Sequence, residues 1–308
     1  MKALVNTPKG PAPVELRELP EPEPAPHEAL IAVKAFSLNR GELTLMRIRP
    51  EGWRPGQDIS GVVMRAAADG SGPKEGTRVV GLMDWHGWAE RAVVSTHRLA
   101  ALPDRVSFAA AAALPVAGLT ALRTLRHGAP LLGRRVLITG AAGGVGNLAV
   151  QLAVHSGAHV TAVVGRKERG DTIAALGAEA TIEDIALAPG KYHLILESAG
   201  GASLKTALGL LAPRGTIVSF GNSSGEETSL SFRDFGAANN SRIQSFHSFA
   251  SGFEEEFAPD LGLLASLVAD GALKPQIVEH DWHDLPRVAA DLRDRRVNGK
   301  AIFHIDRH

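Results

Sequence analysis

The chain has 308 residues, 44% of them apolar, enough for two domains with buried cores. Its 33 Lys and Arg balance 33 Asp and Glu, so no global basic field exists to recruit nucleic acid or an anionic membrane. There are no cysteines, which excludes disulfides, thiolate catalysis and cysteine-ligated zinc, and suits a cytoplasmic setting.

The opening MKALVNTPKGPAP lacks the apolar core of a secretory signal. The longest apolar run, FAAAAALPVAGLTAL (108–122), is broken by Pro115 and too short to span a bilayer. Residues 1–117 read as mainly β. Short apolar stretches, ALV (3–5), ALIAVKAFSL (29–38), DISGVV (58–63) and RVVGL (78–82), are separated by Pro- and Gly-rich punctuation. LPEPEPAPHE (19–28) is a stiff surface connector and AADGSGPKEGTR (67–78) a turn cluster.

The pattern changes near Gly118. Strands then alternate with helical stretches: RRVLITGA then GVGNLAVQLAVHSGA, HVTAVV then KERGDTIAALGA, HLILESA then ASLKTALGLLAPRG, and TIVSFG. Near-continuous apolar strands in this alternation predict a parallel sheet covered on both faces. RIQSFHSF (242–249) fits its last strand. SGFEEEF then opens a helix, with Ser251 and Glu254 in a capping box, so its glutamates match the helix dipole rather than forming an acid cluster. The tail from Leu273 returns to strand, helix, strand.

VLITGAAGGVGNLAVQLA carries the strongest local signal. A strand runs into Gly140, Gly143, Gly144, Val145 and Gly146, then a helix. Such glycines let the backbone turn tightly, approach a pyrophosphate and pack the helix on the sheet, while the helix N-terminus offers free N–H groups and a favourable dipole. In an NAD site, a carboxylate about 20 residues further on holds the adenosine ribose. This chain has Gly165 there, followed by Arg166 and Lys167. The glycine removes repulsion of a 2′-phosphate and the two cations can pair with it, so NADP(H) is expected.

FSLNRGEL (36–43), PGQDISGVV (55–63), LPVAGLTAL (114–122), TGAAGGVGNLAVQLA (139–153), LESAGG (196–201), SFGNSSG (219–225) and NGKAIF (298–303) occur in an order that resembles the medium-chain dehydrogenase/reductase superfamily. The resemblance is to its zinc-independent quinone oxidoreductase-like branch and covers nearly the whole chain. It implies an α/β protein: a GroES-like β-barrel domain from 1–117 and 250–308, and a Rossmann doubly wound parallel-sheet domain over 118–249. Positions holding catalytic zinc in zinc-dependent relatives carry Asn39, Gln57 and Val116, and the cysteine-rich structural zinc loop is missing, so no metal is expected. EHDWHD (279–284) precedes Leu285-Pro286 and is not counted as a metal site.

By the same resemblance, Thr120 lies beside the nicotinamide, Arg40 and Lys300 near the pyrophosphate, and Gly221 and Asn222 in the cofactor site. The tyrosine that several quinone reductases place near the 2′-phosphate has no counterpart in GAEATIED, leaving Arg166 and Lys167 to bind that group. Without a Lewis acid, hydride delivery to a conjugated carbonyl is easier than alcohol oxidation, because the developing charge spreads over an enolate or hydroquinone anion. The expected activity is therefore NADPH-dependent reduction of quinones or of the C=C bond of α,β-unsaturated carbonyls. Asn39 orients cofactor or substrate and Gln57 is the secondary catalytic candidate. An enoyl-thioester reductase is the alternative of the same kind, and a non-catalytic NADPH-binding sensor or scaffold that of another class. Relatives pair through the last Rossmann strand, so a homodimer is expected.

Overall fold

The computed structural model describes residues 1–128, 130–236, 240–247 and 257–305. Internal contacts divide the chain into two units, Met1–Leu119 with Ser251–His308, and Thr120–Ala250.

The first unit opens with the antiparallel hairpin β1 (Lys2–Asn6) and β2 (Val14–Glu18). There follow β3 (Glu28–Leu38), α1 (Arg40–Ile48), β4 (Asp58–Arg65), β5 (Arg78–Leu82), β6 (Arg91–Ser95), β7 (Leu99–Ala101) and α2 (Phe108–Ala112). α3 (Pro115–Arg126) crosses the division between the units. The second unit contains β8 (Arg135–Thr139), α4 (Gly144–His155), β9 (His159–Val163), α5 (Gly170–Ala174), β10 (Ala180–Ile182), β11 (Tyr192–Glu197), α6 (Gly201–Gly209), β12 (Leu211–Ser219) and β13 (Arg242–Ser245). The chain then returns to the first unit with α7 (Phe257–Ala269), β14 (Ile277–Asp281), α8 (Leu285–Arg293) and β15 (Lys300–His304). The Ser251–Glu254 capping box and residues 248–249 of the expected last strand lie outside the described residues.

In the first unit the strand order is β14-β15-β3-β4-β5-β7, with β6 also on β3. The 11-residue β3 pairs with β15, β4 and β6, shifting register at Leu30/Ile31 and Val33/Ala35. Such bulges bend a strand and let it serve several neighbours. Phe36 stacks between Trp88 and Phe303, with centroids 5.6 and 5.3 Å away, and Ile31, Ile59 and Leu38 fill the surrounding core. Where β4 crosses β3 only glycine fits: a Cβ on Gly61 would lie 2.1 Å from the Ala32 carbonyl oxygen.

The second unit is a six-stranded parallel sheet in the order β10-β9-β8-β11-β12-β13. Numbered within this unit the order is 3-2-1-4-5-6, the doubly wound arrangement, and it reverses between β8 and β11. Val136–Thr139 and Leu194–Glu197 are all buried, as strands covered on both faces require. Leu137, Ile195, Ile217 and Leu208 form one core, which also takes in Tyr192; its hydroxyl donates to Thr161 Oγ1 at 3.1 Å.

Candidate functional site

In doubly wound sheets, ligands bind outside the carboxyl ends of the strands where the order reverses. Here those ends are Thr139 of β8 and Glu197 of β11. Beyond Thr139, Gly140 turns the chain with φ 61°, and the Gly143 N–H donates to its carbonyl at 2.9 Å. α4 starts at Gly144, leaving the N–H groups of Gly144, Val145 and Gly146 without intrahelical partners. A Cβ on Gly146 would sit 2.3 Å from the Gly140 carbonyl oxygen and 2.6 Å from Ala141 Cα. The helix therefore lies directly against its own turn, and its free N–H groups form a cradle suited to phosphate.

β11 ends in a buried carboxylate. Glu197 accepts from Ala199 N at 2.9 Å, Gly200 N at 3.0 Å and Ser203 Oγ at 2.9 Å, so it holds the turn that leads into α6 and ties it to the first turn of the helix. Ser198 N donates to Thr139 Oγ1 at 2.8 Å, tying the two strand ends together. Gly140, Gly221 and Asn222 meet at this junction: added Cβ atoms would lie 2.8 Å from Ser198 Oγ at Gly140 and 3.0 Å from Ser198 O at Gly221, and at Gly200 one would lie 2.2 Å from Asn222 Oδ1.

Past β9, Gly165 has φ 67° with open space on its Cβ side. Arg166 and Lys167 are exposed, and among the described residues neither forms an ion pair. Arg169, which sequence reasoning passed over, joins them. Its guanidinium is held below the usual arginine range, first by burial and then by the neighbouring Arg166 charge. Three cations, with Glu168 among them, gather where a ribose-binding carboxylate would otherwise stand.

The first unit holds a second, entirely buried polar constellation. Asn39 is the N-cap of α1 and Glu42 is at N3, so the Asn39 N–H donates to Glu42 Oε2 at 2.8 Å. The other oxygen, Oε1, accepts from the Gln57 N–H at 3.1 Å. Asp58, first residue of β4, accepts at Oδ2 from Ser37 Oγ and from Asn39 Nδ2, the latter at 2.9 Å, and at Oδ1 from Val116 N at 2.8 Å. Lys300, first residue of β15, pairs with Asp58 Oδ2 at 3.1 Å and donates to Asn39 Oδ1. Glu42 and Asp58 are fully buried and Lys300 is 5% exposed. Burial, then the Asp58 charge, pushes the Glu42 carboxyl up to about 8, against lowering contributions from Asn39 and Lys300.

Every polar atom of the Asn39 amide has a protein partner: Oδ1 takes Lys300, and Nδ2 faces Asp58 and, at 3.3 Å, Glu42. The Gln57 side chain differs. It makes no hydrogen bond among the described residues, and its amide keeps a little solvent contact although the residue is buried. The free donor in this constellation is therefore Gln57, where the sequence put Asn39 first. Lys300 and Asn39, expected in separate roles, are in direct contact. Arg40 donates to the Leu292 carbonyl at 3.0 Å, and Thr120 is buried on α3.

Residues 25–104 match the alcohol dehydrogenase GroES-like domain family and residues 144–266 the zinc-binding dehydrogenase family. The chain is 36% identical over 190 residues to the chloroplast envelope quinone oxidoreductase homolog of Arabidopsis thaliana, covering 56% of this chain and 57% of that protein. It thus spans little more than half the length of this relative. It is 30% identical over 286 residues to the quinone oxidoreductase of Homo sapiens, covering 87% of this chain and 86% of that one. The quinone oxidoreductase of Thermus thermophilus, solved also in complex with NADPH, superposes with a TM-score of 0.82 at 30% identity over 99% of this chain and 100% of that one.

The zinc named by one matched family does not suit the donors present. Val116 has no side-chain donor atom, Asn39 Oδ1 is taken by Lys300, Gln57 offers only a neutral amide oxygen, and the Lys300 ammonium is the cation the cluster already holds. Among the described residues no group of three or more His, Asp or Glu converges as a metal site, and no helix is long and apolar enough to cross a membrane. Matches to both units, and alignment with a relative over most of both chains, settle the affiliation: the chain belongs to the medium-chain dehydrogenase/reductase superfamily, in its quinone oxidoreductase-like branch.

Proposed function

We propose that this protein is an NADPH-dependent reductase of quinones or of the C=C bond of α,β-unsaturated carbonyls. The observation that carries the reading is the unpaired Arg166 and Lys167 beyond Gly165, with Arg169 beside them, at the position where an NAD site keeps a carboxylate. When bound, the cofactor supplies the hydride. The chain's own groups do the rest. The N–H groups at the start of α4 would hold the pyrophosphate and Arg166 and Lys167 would pair with the 2′-phosphate; the family resemblance assigns Thr120 to the nicotinamide. Gln57 donates to the substrate oxygen on which negative charge develops, while Lys300, Asp58 and Glu42 fix the Asn39 segment next to it. The NADPH-complexed Thermus thermophilus relative supports this reading.

Following NADPH absorbance against quinones, enones and enoyl thioesters tests it. Turnover of a quinone or simple enone is expected. Turnover of enoyl thioesters alone would move the assignment to an enoyl-thioester reductase, and tight NADPH binding with no turnover would make the protein a sensor or scaffold. Tighter binding of NADH than NADPH would overturn the cofactor assignment.

We also propose a homodimer. β13 pairs with β12 on one side only among the described residues, all four of its residues are exposed, and Phe232, 93% exposed, and Phe235 belong to the same unit. An open strand edge of this kind is a template for a second copy. Light scattering at micromolar concentration should give the dimer mass, and a monomer would count against the pairing.

A further inference from the structure

We infer that Glu42 is a positioning residue for this reaction: it clamps the Asn39 and Gln57 segments together and, by holding a proton, keeps their buried frame electroneutral while negative charge develops on the substrate. The inference rests on the function proposed above, which puts Gln57 at the substrate oxygen.

The clamp is geometric. Asn39 follows β3 and caps α1, whereas Gln57 ends the loop leading into β4, and no ladder hydrogen bond joins the two residues. One carboxyl group bridges them, Oε2 taking the Asn39 N–H at 2.8 Å and Oε1 the Gln57 N–H at 3.1 Å. The backbone that aims the Gln57 side chain is therefore held through Glu42.

The charge count is equally specific. The ionisable groups facing Glu42 are Asp58 on β4 and Lys300 on β15. The α8 charges are engaged elsewhere: Arg287 pairs with Asp284 and Asp291, and Arg293 with Asp294. Arg40 reaches the Leu292 carbonyl, and Arg54, on the Gln57 loop, reaches the His86 carbonyl. Two carboxylates and one ammonium would leave a net negative charge in a buried region; a proton on Glu42 removes it. An uncompensated negative charge there would oppose the anionic transition state that Gln57 stabilises, because charges interact strongly in a low-dielectric interior.

The test compares wild type with Glu42→Gln and Glu42→Ala. Wild-type kcat should fall about tenfold from about pH 7 to about pH 9.5, with NADPH affinity unchanged. Glu42→Gln, neutral at every pH, should lose roughly threefold at neutral pH and show no such alkaline fall. Glu42→Ala, which removes the clamp, should lose more kcat than Glu42→Gln, and the amide's partial rescue marks the bridging role. Independently of turnover, the backbone 15N–1H resonances of Asn39 and Gln57 should titrate together near about pH 8 in wild type and stay flat in Glu42→Gln. An alkaline fall retained in Glu42→Gln, or amide signals of Asn39 and Gln57 that do not titrate, would overturn the inference. If no substrate in the panel is reduced while both amides titrate as expected, the proposed reaction fails and the protonated clamp stands.

Discussion

Glu42→Gln also makes a stability prediction. Burial and Asp58 move the carboxyl from its ordinary 4.5 to about 8 in the folded protein. The folded state then binds this proton more tightly than the unfolded chain, so ionisation opposes folding. The Glu42 contribution is unpenalised below its unfolded value, erodes as pH rises across the interval, and carries the full penalty above the folded value. At about 1.36 kcal/mol per pH unit the whole interval amounts to on the order of 4–5 kcal/mol, a large share of a domain's net stability. Trp53, Trp85, Trp88 and Trp282, the only four tryptophans, all lie in the first unit, so their fluorescence in guanidinium titrations follows that unit's unfolding. Between about pH 5 and about pH 8.5, wild-type stability measured relative to Glu42→Gln should fall by at least roughly 2 kcal/mol, with unchanged m. Parallel pH profiles for the two proteins would refute the argument that Glu42 is protonated when folded.

Lys300→Met strands Asp58 without its buried cation and should cost about 3–5 kcal/mol in the same titration, with Asp58→Asn added to Lys300→Met recovering part of it. Gly146→Ala drives a methyl group to 2.3 Å from the Gly140 carbonyl. It should cost about 1–3 kcal/mol and abolish NADPH binding, read by calorimetry; normal affinity would place the cofactor elsewhere. Gln57→Ala should lower kcat about 10²–10³-fold, equivalent to about 2.7–4 kcal/mol, while NADPH affinity stays put. Arg166→Asp with Lys167→Asp should weaken NADPH more than tenfold and leave NADH nearly unchanged, roughly 1.4 kcal/mol or more of discrimination in fluorescence binding assays.

Much of the second unit was legible because its signals are local. Strand–helix alternation and the Gly140–Gly146 turn are each written within a short window, and the parallel sheet with α4 on that turn follows from them. In the first unit, ALIAVKAFSL and RVVGL gave β3 and β5, but α2, β2, β6 and β7 were too short to stand out, and the amphipathic α1 was passed over although Asn39 marks its start. The buried constellation was half visible. Asn39 and Gln57 came from the resemblance, and the Asn39-x-x-Glu42 spacing is itself a capping-box signal that could have exposed Glu42. Asp58 has no local signature, since its meaning depends on the β3–β4 register and on Lys300 arriving from the far end of the chain. Lys300 was placed near the pyrophosphate by the resemblance, and its pairing with Asp58 and Asn39 was not visible for the same reason: sequence shows a charge but not the partner that folding brings to it. Glu197 sat inside the quoted LESAGG, yet its hydrogen bonds to Ala199, Gly200 and Ser203 appear only once β11 turns into α6.

The insertion of β15 between β14 and β3 has a consequence for biogenesis. As the polypeptide leaves the ribosome, the β3 edge that β15 will cover waits through synthesis of the entire Rossmann unit, which is contiguous and free to fold first. For that interval the nascent chain carries an open, hydrophobic strand edge, the kind of surface that chaperones shield and that aggregation recruits. Aggregation during synthesis, and not only the stability of the finished fold, therefore bears on how much of the chain reaches its folded state.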